Sequence, residues 1–372
     1  MSFQFSVPCL MGVEGLVADE LRFQHFEGVA AENGRVLFSG DFSECARANV
    51  VLRCGERVLL RIGAFHAETF DQLFEGVRAL PWEQFIGKDN AFPVKGHSLQ
   101  SRLFSVPDCQ KIIKKAVVRR LEKAYGQTWF EESGARCQIQ FSLSHDLCEV
   151  SLDTTGAALY KRGYKLEAPE ATLRETLAAA MVKLSRYRGR GEFLDPFCGA
   201  GTIAIEAAMA ANHIAPGARR AFDAEQWHCV PKGVFSAARE QAISSEKHEK
   251  LCIHASDISA QAVELTRENA RRAGVEQCMQ IERADALKLS YEQREGILMT
   301  NPPYGVRLLD VEQARAIYRQ LGKLTRGAQK LKQYILTSDE SFEQLYGRPC
   351  DKKRKLYNGM LKCGLYMYFK QP

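Results

Sequence analysis

The sequence has no C-x-x-C pair and no Cys/His cluster at zinc spacing, although 12 cysteines are scattered along its 372 residues. That excludes the common zinc modules, and no metal is expected. Residues 1–15 lack the basic stretch and apolar core of an export signal. Free thiols without such a signal predict a reducing, cytoplasmic setting. No apolar run reaches the length of a membrane span, so no membrane association is expected. Low-complexity tracts and internal repeats are missing too. A strong charge of either sign is also lacking. The net charge of +6 is compatible with a polyanionic partner and does not by itself demand one.

What is present is enough chain for two domains, and two halves that read differently. The first half, to about Lys165, is α+β. Val36, Leu37 and Phe38 read as a strand, as does the stretch from Val58 to Ile62. Asp108 is placed to cap a helix running from Cys109 to Tyr125, with Gly126 as its stop. Its apolar positions include Ile112, Ile113, Ala116, Val117 and Leu121. Its other side carries Lys111, Lys114 and Lys115. Such a basic side is ordinarily a solvated face. Ile139, Phe141 and Leu143 alternate with polar residues, and so do Cys148, Val150 and Leu152. With a turn at Ser144, His145 and Asp146 between them, that predicts a β-hairpin. A short basic link, YKRGYK at residues 160–165, precedes Pro169. Thr172 and Glu175 then form a capping box for a helix bearing Leu173, Leu177, Met181 and Leu184.

The second half alternates strands and helices, which predicts a doubly wound, mostly parallel sheet. Strands are expected at residues 192–194, 251–254, 279–281, 296–300 and 333–336. Helices are expected at residues 259–273, closed by Gly274, and at 314–324. Ligands in such sheets bind beyond the carboxyl ends of the strands. The Gly-rich turn lies there, with Asp195, Pro196, Phe197, Cys198, Gly199, Gly201 and Thr202. Its spacing also fits the loose dinucleotide fingerprint, so a nicotinamide or flavin site is the competing reading. Two details oppose it. Asp195 ends the preceding strand, where its charge would repel a pyrophosphate and suit a cationic amino group. The next strand-end acid, Asp257, comes well beyond the offset of about 20 residues that a dinucleotide site uses. Asp257 is placed to bond ribose hydroxyls, and Asp285 to accept from an adenine amino group. Each acid taken alone could merely cap a helix. Residues 211–250 intervene with no assigned role.

Asn301, Pro302, Pro303 and Tyr304 follow a buried strand directly. Paired prolines cannot continue a central strand, so the chain leaves the sheet there with a rigid backbone. A plain Pro-Pro loop would look the same, but this turn combines with the Gly-rich one. The Asn301 side-chain oxygen and the Pro302 carbonyl can accept the two N–H bonds of an exocyclic amino group. Its lone pair is then aimed at a methyl donor, and Tyr304 can stack on the base.

DPFCGAGT at residues 195–202 together with NPPYG at 301–305 resembles the Rossmann-like amino-methyltransferases. YKRGY at 160–164, TLRETLAAA at 172–180 and KKRKLYNG at 352–359 narrow this. They resemble the THUMP-containing guanine-N2 RNA methyltransferases, nearest to the bacterial 23S rRNA group and its forms with a single methyltransferase domain. The resemblance covers nearly the whole chain, strongly in the second half. It implies a ferredoxin-like segment at 1–43, a THUMP RNA-binding domain at 44–155, a linker at 156–169 and a methyltransferase domain with a seven-stranded sheet at 170–372. It implies S-adenosylmethionine held by residues 195–202, Asp257, Ile258, Asp285, Ala286 and Asn301, with Asn301, Pro302, Pro303 and Tyr304 as the catalytic turn. The implied partner is RNA, with rRNA first and tRNA second. Lys111, Lys114, Lys115, Lys161, Arg162, Lys352 and Lys353 are then expected to contact phosphates. The same turn serves adenine and cytosine amino groups, so it does not name the base. A DNA adenine-N6 methyltransferase and a non-catalytic RNA-binding assembly protein stay open as alternatives.

Overall fold

The computed structural model describes residues 2–165, 173–304 and 311–370. Thr172, Pro169 and Gly305 fall outside the described residues, so the capping box at Thr172 does as well. The described chain forms two compact units, each with one seven-stranded sheet.

In the first unit the strands are β1 (Phe3–Pro8), β2 (Glu27–Glu32), β3 (Arg35–Gly40), β4 (Leu59–His66), β5 (Val94–Leu99), β6 (Ile139–Ser144) and β7 (Leu147–Asp153). Their order is β2-β3-β1-β4-β7-β6-β5. Helices α1 (Glu14–Phe23), whose residues up to Val17 belong to the second unit, α2 (Phe42–Val51), α3 (Phe70–Ala79) and α4 (Val106–Tyr125) are interspersed with them. The expected hairpin is β6–β7, and His145 and Asp146 both take positive φ at its two-residue turn. The helix ending at Gly126 begins earlier than its sequence suggests. Ser105 is the N-cap residue and Asp108 sits in the first turn, accepting from the Ser105 hydroxyl. Pro107 explains the earlier start, because a proline in the first turn sacrifices no helical hydrogen bond.

Residues Arg219–Gln241 also belong to this unit, although they lie far along the chain. Trp227 is buried and donates from Nε1 to the Arg136 carbonyl at 2.8 Å. Ala224 donates its N–H to the Thr154 carbonyl at 3.1 Å, and Arg220 donates to the Ala158 carbonyl at 2.9 Å. A buried indole with its N–H satisfied fixes such a strap. Part of the unassigned stretch at 211–250 therefore belongs to the first unit and not to the contiguous second half in which the sequence placed it.

The second unit contains α5 (Glu175–Ser185), β8 (Glu192–Asp195), α6 (Thr202–Ala211), β9 (Ile253–Asp257), α8 (Ala260–Arg272), β10 (Gln280–Arg283), β11 (Gly296–Thr300), α9 (Val311–Thr325), β12 (Leu331–Thr337), α10 (Phe342–Tyr346), β13 (Lys352–Asn358) and β14 (Leu361–Tyr368); α7 (Val234–Ser244) precedes β9. The sheet order is β10-β9-β8-β11-β12-β14-β13. The first five strands run parallel, and β14 pairs antiparallel with β12 and with β13. The final hairpin was not anticipated, because its first strand reads as a basic run. Leu356, Cys363, Leu365 and Met367 are nevertheless buried, while Lys352, Lys353 and Lys355 are exposed. Leu298, Leu321, Ile335, Phe342 and Tyr366 are among the residues of a continuous core in this unit. Among the described residues, no helix is long and apolar enough to cross a membrane.

Candidate functional site

Strand β8 has β9 on one side and β11 on the other, so successive connections leave it in opposite directions. A crevice opens beyond the strand ends at such a switch point. Asp195 ends β8, Asp257 ends β9, Asp285 follows β10 and Asn301 follows β11. The structure thus gathers the Gly-rich turn, both later acids and the Asn-Pro-Pro-Tyr turn at one end of one sheet.

The Gly-rich turn is built by residues the sequence did not single out. Cys198 donates its N–H to the Ser256 carbonyl at 2.9 Å. The Thr266 hydroxyl donates to the Gly199 carbonyl at 2.9 Å, and the Asn269 amide donates to the Ala200 carbonyl at the same distance. Thr266 and Asn269 are fully buried on α8. Polar residues on the face of a helix that should be apolar are the signal that could have found them. Gly201 has φ of +79°, and a Cβ there would lie 2.6 Å from the Thr266 methyl. Only glycine fits that position. Asp257 accepts the Gly199 N–H at 3.1 Å and the Ser259 N–H at 2.9 Å, which ties the first turn to the second strand. Ile258 beside it is exposed at 62%. Asp285 accepts from the Leu287 N–H at 3.0 Å, and the neighbouring Ala286 is buried. Both acids therefore also serve as local caps.

Asp195 is buried. Its Oδ1 accepts from the Thr300 hydroxyl at 2.9 Å, and its Oδ2 has no hydrogen-bond partner among the described residues. Burial pushes this carboxyl up to about 7, opposed by hydrogen bonds from the Thr300 hydroxyl and the Phe197 N–H. Pro196 is buried and Phe197 half-buried in the same turn. The Cys198 thiol is pushed well up, first by burial and then by the Asp195 charge. Such a thiol stays protonated and is not poised as a nucleophile. Thr202 begins α6 and is buried.

At the second turn, Pro302 is buried and Pro303 half-buried. The Tyr318 hydroxyl donates to the Pro303 carbonyl at 2.8 Å and shares a hydrogen bond with Thr337. A helix and the neighbouring strand thereby fix the turn. The Asn301 Oδ1 is buried and has no hydrogen-bond partner among the described residues. The Tyr304 hydroxyl hydrogen-bonds with the side chains of Asn301 and Asn358, while burial raises its phenol above the ordinary range. Two acceptor oxygens without donors, on Asp195 and on Asn301, thus lie at the ends of adjacent strands. Buried acceptors of this kind call for a ligand that donates.

The basic residues divide. Lys111 and Lys115 are exposed on α4, with Lys111 paired to Asp108 at 3.5 Å. Lys161, Lys352 and Lys353 are exposed as well. Lys114 instead turns its ammonium to Glu132 and to the Phe92 carbonyl. Arg162 corrects the expectation outright. Its side chain is 1% exposed and pairs with Glu206 of α6 at 3.4 Å, beside the Tyr164 hydroxyl. A buried guanidinium held by a carboxylate serves the interior and cannot reach a phosphate.

The family profile described as RMKL-like, methyltransferase domain matches residues 162–367. The RlmL ferredoxin-like domain profile matches residues 4–59, and the THUMP domain profile matches residues 67–153. YpsC of Bacillus subtilis, provisionally named as an RNA methyltransferase, is 40% identical over 96% of this chain and 94% of its own length. Ribosomal RNA large subunit methyltransferase K/L of Psychromonas ingrahamii is 31% identical over 99% of this chain. The chain spans only 50% of that protein. Among solved structures, SMU.472, a methyltransferase by provisional name, was obtained in complex with SAH. It matches with a TM-score of 0.93 at 38% identity, over 100% of this chain and 99% of its own. The two turns, the strand order and these matches agree, and the chain belongs to the RMKL-like methyltransferase family.

Proposed function

We propose that this chain transfers a methyl group from S-adenosylmethionine to the N2 amino group of a guanine in RNA, with 23S rRNA as the substrate. The observation that carries it is the pair of unsatisfied buried acceptors, Asp195 Oδ2 and Asn301 Oδ1, at neighbouring strand ends. One suits the cationic amino group of an amino-acid-bearing cofactor. The other suits the neutral amino group of a base.

The residues present fit S-adenosylmethionine. Asp195 and the backbone of residues 196–202 would hold its amino-acid end, Asp257 and Ile258 its ribose, and Asp285 and Ala286 its adenine. When bound, it supplies an electrophilic methyl on a sulfonium. Asn301 Oδ1 and the Pro302 carbonyl accept the two N–H bonds of the exocyclic amino group. That draws the nitrogen out of conjugation and directs its lone pair. Tyr304 stacks against the base, with its hydroxyl end fixed by Asn301 and Asn358. No strong base is required, because the methylated nitrogen is acidic enough to lose its proton to water. Most of the acceleration is positioning.

A base inside a paired stem cannot reach this turn and must be flipped out or lie in a loop. Residues 44–155, containing the THUMP match, would bind the RNA, joined by the link at 156–169 to the methyltransferase domain at 170–372. Lys111, Lys115, Lys161, Lys352 and Lys353 would meet phosphates without reading sequence. An RNA substrate implies work in the cytoplasm.

Nucleoside mass spectrometry of rRNA and tRNA from cells with and without the gene tests this reading. A single lost N2-methylguanosine in 23S rRNA, restored by the wild type and not by Asn301→Ala, is the expected result. Loss of the mark from tRNA instead would move the substrate. No lost mark in either pool would turn attention to adenine in DNA, then to a non-catalytic role.

A further inference from the structure

The proposed methyl-transfer site occupies the carboxyl ends of the strands. Three other donor groups meet toward the opposite ends. Glu192 opens β8, while Cys252 immediately precedes β9 and His254 lies within it. Phe193 pairs with Ile253 and Leu194 with His254, which sets Glu192 beside Cys252. Residues two apart on a strand point to one face, and neighbouring strands lie about 4.8 Å apart. Glu192, Cys252 and His254 therefore share a face, and one donor atom from each lies within 4.8 Å of the others.

The spacing suits a small divalent ion. Cys252 Sγ and His254 Nε2 are 3.5 Å apart. Zinc bonds of about 2.3 Å to sulfur and about 2.0 Å to nitrogen, opened to a tetrahedral angle, separate the two donors by about 3.5 Å. Glu192 supplies a third ligand that is already oriented. Its Oε1 accepts from Arg294 at 2.8 Å, and its Oε2 is buried with no hydrogen-bond partner among the described residues. An outer partner that fixes a carboxylate in this way is the usual support of a metal ligand.

Charge and donor type agree with zinc. One carboxylate, one thiolate and a neutral imidazole balance a divalent cation. A sulfur and a nitrogen donor disfavour magnesium and calcium, which take oxygen ligands. Cys252 is exposed, so the ion has a path of entry.

We propose that Glu192, Cys252 and His254 form a zinc site, with water as fourth ligand, that clips β8 to β9 at the end of the sheet away from the Gly-rich turn. Binding releases the Cys252 proton and joins segments about 60 residues apart in the chain, so it stabilises the folded form.

Titration of the full-length protein with cobalt(II) tests this directly. Wild type should take up one equivalent with a thiolate-to-cobalt charge-transfer band, and zinc should displace it. Cys252→Ser should lose the band. His254→Ala and Glu192→Gln should weaken binding at least about tenfold. Zinc should raise the melting temperature of wild type and leave that of Cys252→Ser unchanged. Cys252→Ser and His254→Ala alter exposed or half-buried side chains, and circular dichroism will show whether each is folded. No band in wild type overturns the proposal. A band undiminished in Cys252→Ser would assign the thiolate to another cysteine and overturn it as well. Equal affinity in wild type and His254→Ala would do the same.

Discussion

The Thr300 hydroxyl at the end of β11 donates to Asp195 Oδ1 at the end of β8, 2.9 Å away, and leaves Oδ2 buried without a partner among the described residues. One oxygen is fixed and the other is held in reserve. A buried carboxylate left in that state is costly until a cation reaches it.

That relationship predicts a pH dependence. Burial raises the Asp195 carboxyl from 3.8 to about 7. With the folded value above the unfolded one, its contribution to stability is complete below about 4. It is lost as pH rises through about 7. A cationic amino group at Oδ2 favours the ionised form. S-adenosylmethionine affinity, measured by calorimetry, should therefore rise between about pH 6 and about pH 8. Asp195→Asn should weaken cofactor binding and flatten this rise. It should also raise the melting temperature of the cofactor-free protein above pH 7. An unchanged affinity profile in Asp195→Asn would remove Asp195 from cofactor binding.

Asn301→Ala removes the unpaired acceptor together with one of the two ties to the Tyr304 hydroxyl. Cofactor affinity should stay within a few-fold, while single-turnover methylation falls on the order of 10²–10³-fold, the scale seen when one pre-organised polar group is removed from an active site. Equal losses in both would mean that Asn301 holds the cofactor and not the base.

Tyr304→Ala should abolish stacking, worth about 1–3 kcal/mol per base, and lower methylation while RNA affinity persists. Tyr304→Phe keeps the ring and loses the ties to Asn301 and Asn358. It should retain more activity than the alanine variant. Filter binding alongside methylation rates separates the two effects, and a parallel loss of RNA affinity would contradict the assignment.

The basic residues should respond in two different ways. Replacing Lys352 and Lys353 with alanine should lower the slope of RNA affinity against salt by about one for each phosphate no longer neutralised. Arg162→Ala should instead destabilise the protein by about 3–5 kcal/mol, because Glu206 would stay buried without its cation. Thermal melts and salt titrations of both variants check this. A folded Arg162→Ala protein with a reduced salt slope would restore Arg162 to the RNA surface.

The sequence by itself determined what is local. Two prolines after a buried strand must leave the sheet, and closely spaced glycines after a strand mark a tight turn, so both turns were legible at Asn301–Tyr304 and at Gly199–Gly201. The alternation of β6 and β7, the start of a helix near Ser259 and the stop at Gly126 were legible for the same reason. Burial across long stretches of chain was not. Arg162 reads as part of a basic link until Glu206 meets it 44 residues later, and Lys352–Asn358 reads as a charge run until β14 pairs along its length. Trp227 docks on Arg136 from 91 residues away. Glu192 stands beside Cys252 and His254 only because β8 and β9 pair in register. Which charges face solvent, which are neutralised inside and which donors converge all depend on how distant segments pack together, and tertiary structure alone decides that packing.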